Sequence, residues 1–324
     1  MNDQNHEEPP ALSVASLVKR YGDLTAVDGV SLTAHSHEIL GVLGPNGAGK
    51  TSLLEMLMGL RGLTSGSVRV LDIDPATSER ELRKVASIQP QQAELFPTLT
   101  TIETLELWAT FYDQPRAPST VLEDVGLTGS RDVRVRNLSG GQERRLLVGT
   151  ALIGNPRVTV LDEPSSGLDP NARADLWEVI TAFRDEGRTV VLSTHSMEEA
   201  EAVCDRVAIM HRGRLVALGR PSELIAEHAP HHVISCAREP GQDLSWAEEL
   251  DDVVRVETVG NRTNIHARRY EDVMEAVSKA ERPARDLRVR NAGLDEVFRG
   301  LTGADLGDET ASDAGRRGEG VEAR

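Results

Sequence analysis

Apolar positions in this chain fall first into short, nearly unbroken runs and only later into helical spacing. From Leu12 the runs are LSVASLVKRY, AVDGVSLTA, the fully apolar ILGVL of Ile39–Leu43, SVRVL and VASI. RVTVL at residues 157–161, TVVLS and RVAIM continue the series. Short β-branched runs without polar alternation predict strands buried on both faces, as in a parallel sheet. Leu53, Leu54 and Leu57 follow ILGVL at helical spacing, which makes a strand–loop–helix unit. Strands separated by such helices predict an α/β core.

The pattern breaks twice. Between Pro97 and Asn137 the strands stop, and TIETLELWATFYD and STVLEDVGL predict helices of an inserted lobe, over about residues 97–145. Beyond IMHRGRLVALGRPSELIAEH, the segments HHVISCA, VVRVETV and RTNIHAR predict strands, with a turn at Gly260 and Asn261. YEDVMEAVSKA and LDEVFRGL predict helices, and Leu294, Val297, Phe298 and Leu301 form one apolar stripe of the second. The expected organisation is a disordered arm over residues 1–11, a main domain over 12–228, a small α+β domain over 229–303 and a disordered tail over 304–324. No internal repeat is evident.

Composition narrows the class. A chain of 324 residues with 39% hydrophobic content supports an ordinary core and excludes global disorder. The net charge of −16 opposes a nucleic-acid coat, which needs a basic surface, and fits solubility instead. Cys204 and Cys236 have neither metal-ligand spacing nor a disulfide framework around them; Cys204 reads as a small buried hydrophobe. MNDQNHEEPP does not resemble a signal peptide, and no apolar run approaches the roughly 18–20 residues a spanning helix needs. The expectation is a cytosolic protein whose membrane role, if any, passes through a partner.

Chemistry enters with GPNGAGKT: Gly44, Pro45, Asn46, Gly47, Ala48, Gly49, Lys50 and Thr51, placed between a buried strand and a helix. That is the phosphate-loop pattern in its required context. Its backbone N–H groups can wrap phosphate oxygens, Lys50 can reach the β- and γ-phosphates, and the Thr51 hydroxyl can ligate Mg²⁺. RVTVLDEP ends a second buried strand in two acids. Asp162 can hold Mg²⁺, and Glu163 can orient the attacking water as general base. Ser139, Gly140 and Gly141 precede another helix and make an anion cradle with no lysine, half of a phosphate site. His195 after an apolar strand, Tyr21 at a strand end and the glutamines of SIQPQQAELFP each have an ordinary alternative: a core histidine, a packing ring, loop residues.

Taken together, GPNGAGKT, PQQAELFPTLT, LSGGQERR, VTVLDEPSSGLDP and LSTHSMEEAE stand in the order and spacing of an ATP-binding cassette (ABC) transporter ATPase, which the chain resembles from about Leu12 to His228. The resemblance implies a P-loop NTPase core with an N-terminal antiparallel β part and an inserted helical subdomain, binding ATP with Mg²⁺. It implies that Tyr21 stacks on adenine, that Ser52 joins the phosphate loop, and that Gln91 contacts Mg²⁺ and senses the membrane partner. It also makes Ser139, Gly140, Gly141 and Gln142 the signature motif, Asp169 part of a dimer-contact loop and His195 the γ-phosphate switch. Two cassettes pair head to tail in this family, so the missing half of the signature's phosphate site is implied to lie on a second nucleotide-binding subunit, a second copy or a homologue. A separate integral membrane permease is the other implied partner, with Phe96, Trp108, Phe111 and Tyr112 either lining its groove or forming the lobe's core.

The ending AGLDEVFRGLTG resembles that of drug-resistance and ABC-2-type exporter ATPases, which favours export over import. A non-transport cassette acting on ribosomes or nucleic acid is opposed by the single cassette and the negative charge. A regulator without turnover is opposed by the presence of both Glu163 and His195. Two departures stand out: His37 occupies the place of a usual glycine, and LSGGQ replaces the YSGGM of many drug-resistance relatives.

Overall fold

The computed structural model describes residues 9–237, 245–279 and 285–303, so the expected tail and all but residues 9–11 of the expected arm lie outside it. Ala11, assigned to that arm, is buried, and its carbonyl accepts a hydrogen bond from Leu71 N at 2.8 Å. The chain divides into two compact units, one running to Pro221 and the other beginning at Ser222.

In the first unit, β1 (Leu12–Tyr21), β2 (Leu24–Ala34) and β4 (Ser65–Val70) form an antiparallel sheet in the order β2-β1-β4. The larger sheet has the order β5-β6-β7-β3-β8-β9, from β5 (Ala86–Gln89), β6 (Val158–Asp162), β7 (Thr189–Thr194), β3 (Ile39–Leu43), β8 (Arg206–His211) and β9 (Arg214–Gly219). All its neighbours run parallel except β8 and β9. Every residue of β3, β6 and β7 is buried, which is why these strands read as unbroken apolar runs. Strand β9 went unpredicted because its hairpin turns on Arg212 and Gly213, both at positive φ, where Asn-Gly is the usual signal.

The α-helices of this unit among the described residues are α1 (Lys50–Leu57), α2 (Glu79–Leu82), α3 (Thr101–Ala109), α4 (Pro118–Asp124), α5 (Gly140–Leu152), α6 (Pro170–Asp185) and α7 (Met197–Val203). Leu53, Leu54 and Leu57 of α1 join Val160 and Val191 in the core, so α1 lies over the middle of the sheet. Helices α3 and α4 pack with α5 in the inserted lobe. Helix α5 runs on past residue 145, the expected limit of the lobe, and buries Leu146, Leu147, Val148 and Leu152.

The second unit contains α8 (Pro221–His228) from Ser222 onward, rather than starting near residue 229; Ala229 N donates to Ile225 O at 2.9 Å and carries the chain on without a break. Its antiparallel sheet has the order β11-β12-β10-β13, from β11 (Val253–Val259), β12 (Arg262–Ala267), β10 (His232–Ala237) and β13 (Arg285–Asn291). Strand β13, RDLRVRN, is a charged and mostly exposed edge strand and so carries no apolar signal. Helices α9 (Tyr270–Lys279) and α10 (Leu294–Thr302) follow the expected segments, with Leu294, Val297 and Phe298 buried. Both cysteines are buried and free. Among the described residues no helix is long and apolar enough to cross a membrane.

Candidate active site

Parallel topology gathers the site. β5, β6, β7 and β3 point the same way, and their register aligns the carboxyl ends: Gln89 opposite Leu161, Asp162 opposite Ser193, Leu43 opposite Thr194. The residues that follow these ends are Gln91, Glu163, His195 and the loop from Gly44. Ligands of open α/β sheets bind outside this edge.

The loop is closed by Gly44 N donating to Thr194 O at 3.2 Å. Gly49 precedes α1 with φ of 98°, and a Cβ there would stand 2.2 Å from Ala26 O, so only glycine fits. Lys50, Thr51 and Ser52 open α1, where a helix leaves its first N–H groups free for an anion. Lys50 is buried and donates from Nζ to Gly44 O at 2.9 Å and Pro45 O at 3.1 Å. Burial lowers its pKa, against the opposing pull of Glu163 and Asp162.

Three side chains converge on Glu163. Lys50 Nζ stands 3.3 Å from Oε1, while His195 Nδ1 and Gln91 Nε2 each stand 3.3 Å from Oε2. Glu163 is 6% exposed, and its pKa is lowered to about 2, first by the His195 hydrogen bond and then by Lys50, against desolvation. The same bond raises the pKa of His195. Glu163 has φ of 48°, a left-handed conformation that costs a non-glycine residue about 1–3 kcal/mol. Its N–H is held by Ser193 Oγ at 2.9 Å, and Ser193 in turn donates to Asp162 Oδ1.

Two participants were not read from the sequence. Ser193 is one; its role follows from pairing opposite Asp162. The other is Arg144, which donates to Glu163 O at 2.5 Å, Pro164 O at 2.7 Å and Gln91 O at 3.4 Å.

The signature residues do not join this cluster. Ser139 caps α5: its Oγ accepts from Gln142 N at 3.3 Å, and Gln142 Oε1 accepts from Ser139 N at 3.0 Å. Gln142 Nε2 donates to Ser130 Oγ at 3.1 Å, so both ends of the amide are engaged within the chain. A Cβ on Gly141 would lie 2.7 Å from Ala172 Cβ, which makes this glycine the point of close approach between α5 and α6. Asp169 caps α6, accepting from Asn171 N and Ala172 N at 3.0 Å each. Tyr21 OH stands 3.4 Å from Ser52 Oγ, with Lys19 and Arg61 5.0 and 5.4 Å from its ring centroid. Tyr112 packs on Gly154, whereas Phe96, Trp108 and Phe111 make an edge-to-face ladder, with Phe96 54% and Phe111 72% exposed.

The donor set near the sheet edge suits a hard cation. Thr51, Asp162 and Gln91 offer oxygen ligands, and among the described residues no group of three or more His, Cys, Asp or Glu could hold a metal ion by itself. Mg²⁺ at nucleotide sites is held in this sparse way, with phosphates and water completing its shell.

Comparison with known proteins gives the family and the fold. A family model described as ABC transporter matches residues 27–166. The chain is 38% identical over 314 residues to Nod factor export ATP-binding protein I of Ralstonia nicotianae, covering 92% of this chain and 96% of that protein. The Bradyrhizobium diazoefficiens protein of the same name is 36% identical, with 91% and 97% covered. Among solved structures, cbiO1 from Clostridium perfringens, part of the ABC transporter complex cbiONQ, superposes with a TM-score of 0.62 at 28% identity, covering 68% of this chain and 92% of that one. MJ1267, an ATP-binding cassette of an ABC transporter in its ADP conformation, gives 0.59 at 26%, covering 68% and 94%.

Proposed function

We propose, from the premise that this chain belongs to the ABC transporter family and is an ATP-binding, ATP-hydrolysing subunit, that it drives an exporter by closing on ATP against a second nucleotide-binding subunit. The observation that carries the reading is the convergence of Lys50, His195 and Gln91 on the Glu163 carboxylate. Export is supported by the likeness to proteins named for Nod factor export, which extends over nearly the whole chain.

In this reading the backbone N–H groups of the Gly44–Thr51 loop and Lys50 bind the β- and γ-phosphates, and Tyr21 borders the base. Thr51, Asp162 and Gln91 would hold Mg²⁺, which would neutralise phosphate charge. Glu163 orients water and takes up its proton. A carboxylate with a pKa of about 2 is a weak base. Lys50 and His195, drawn toward a γ-phosphate, release Glu163 and let its basicity rise toward the ordinary carboxylate value. Substrate binding thereby arms the base. Ser139 with Gly140 and Gly141, at the N-terminus of α5, caps the phosphate held by the partner subunit.

The permease docks beside the lobe. A groove of about 750 Å³ is lined by Phe111, Tyr112, Leu60, Arg80, Arg83 and Lys84 and reaches Ser87 and Ile88 on β5. Its apolar and basic lining suits an amphipathic helix with acidic residues, and β5 leads directly to Gln91. In this reading the subunit works on the cytoplasmic face of a membrane.

The test is Glu163→Gln. This variant should bind ATP like the unaltered chain while losing about 10²–10⁴-fold in turnover. Single-turnover hydrolysis at the original rate would remove Glu163 from the role of base.

A further inference from the structure

Arg144 lies on α5, the helix that Ser139 caps, and its side chain leaves the lobe to reach the catalytic edge of the sheet. Its guanidinium donates Nη2 to Glu163 O at 2.5 Å, Nε to Pro164 O at 2.7 Å and Nη1 to Gln91 O at 3.4 Å. Half-buried among main-chain carbonyls, the group has its pKa lowered, foremost by desolvation. All three of these hydrogen bonds go to main-chain carbonyls. The planar fork suits two adjacent carbonyls, which a lysine point charge cannot span.

The residue it grips is the strained one. Glu163 has φ of 48°, its N–H fixed by Ser193 Oγ and its carbonyl fixed by Arg144. Those two clamps, one on each side of Cα, determine where the carboxylate points. The neighbouring Arg145 does something else: it stands 3.6 Å from Asp175 and donates to Gly126 O at 3.5 Å.

We propose that Arg144 is a positioning residue that ties α5, the signature helix, to the backbone of Glu163 and Gln91 in the same subunit. Movement of α5 against the partner's nucleotide is then relayed to the base of its own subunit. The proposal rests on the reading of Glu163 as base.

The experiment measures steady-state Mg-ATPase and equilibrium ATP binding of the full chain carrying Arg144→Lys, Arg144→Gln, Arg145→Lys or Glu163→Gln. Both Arg144 variants should lose about 10–100-fold in kcat, as displacement of a reacting group by an ångström or so costs. Their ATP affinity should stay within about threefold, because no Arg144 contact reaches the phosphate loop. Arg144→Lys should keep the melting temperature without recovering kcat, and Arg145→Lys should keep both. If Glu163→Gln retains turnover, the underlying reading fails whatever Arg144 does. If Glu163→Gln is inactive but both Arg144 variants turn over normally, the positioning role is overturned. It is overturned equally if Arg144→Lys restores kcat, or if kcat, ATP affinity and melting temperature fall together in both variants.

Discussion

At the scale of single residues, His37 and Glu163 are both non-glycine residues in the left-handed region, for different reasons. His37 has φ of 63° and is exposed, its N–H donating to Thr189 Oγ1 at 3.0 Å. The turn usually built on glycine is kept here by a histidine. His37→Gly retains that backbone bond and relieves about 1–2 kcal/mol of left-handed strain. It also gives back about 0.5–1 kcal/mol through the freer unfolded chain. The net expectation is about 0.5–1 kcal/mol of stabilisation, a rise of roughly 1–4 °C in melting temperature measured by calorimetry. An unchanged or lower melting temperature would show that the histidine ring contributes packing. Glu163 stays strained because its neighbours grip it on both sides. Lys50, Asp162 and Glu163 were legible in the sequence because loop, strand and helix motifs fix them within a few residues. Ser193 was not, since its contact with Asp162 exists only through strand register. Arg144 and Arg145 are indistinguishable in a string, but adjacent helical positions point about 100° apart, and only the fold decides which meets the site.

At the scale of elements, the Ser139 hydroxyl that caps α5 is also the one proposed to cradle a phosphate. Ser139 and Gln142 form a reciprocal capping box, so Ser139→Ala should cost about 1 kcal/mol through the cap alone. Ser139→Asp separates the two roles. Aspartate caps as well as serine, so stability holds, but its charge faces the phosphate the cradle is proposed to bind. In a Glu163→Gln background, ATP should convert the chain to dimers by light scattering, and adding Ser139→Asp should abolish them at unchanged melting temperature. ATP-dependent dimers that persist with Ser139→Asp would count against a signature acting across subunits. Elements buried on both faces, β3, β6 and β7, were the most legible, since their sequence has one reading. β9 and β13 were hidden, one behind an Arg-Gly turn and the other by the charge of an edge strand.

At the scale of the molecule, the two units should respond differently to acid. In the second unit, His266 is 1% exposed on β12, with Nδ1 at 3.2 Å from His231 Nε2 and Nε2 near Arg255 of β11 and Glu257 Oε1 at 3.1 and 3.2 Å. Desolvation first, then the charge of Arg255, lowers the pKa of His266; desolvation and His266 itself lower that of His231. Glu257 of β11, and more weakly Glu296 of α10, pull the other way on His266; Glu296 does so on His231 too, while Arg290 of β13 adds to the lowering of His231. Below about 6.5, the ordinary histidine value, the unfolded chain binds protons that the folded unit refuses, so stability falls with pH. Asp295, lifted to about 6 by burial beside Glu296, acts in the opposite sense over the same range. Glu163 in the first unit has a lowered pKa, so its contribution is present above about 4.5 and is lost only as pH falls toward about 2. Between pH 7 and 5 the second unit should therefore weaken while the Glu163 carboxylate contributes unchanged. Urea unfolding of single-tryptophan variants reads the units separately, with Trp246 retained for the second and Trp177 for the first. The Trp246 midpoint should drop on acidification more steeply than the Trp177 midpoint, and His266→Gln should flatten that excess. If the two midpoints fall in parallel, or His266→Gln leaves the Trp246 slope unchanged, the buried histidine pair does not set the acid response of the second unit.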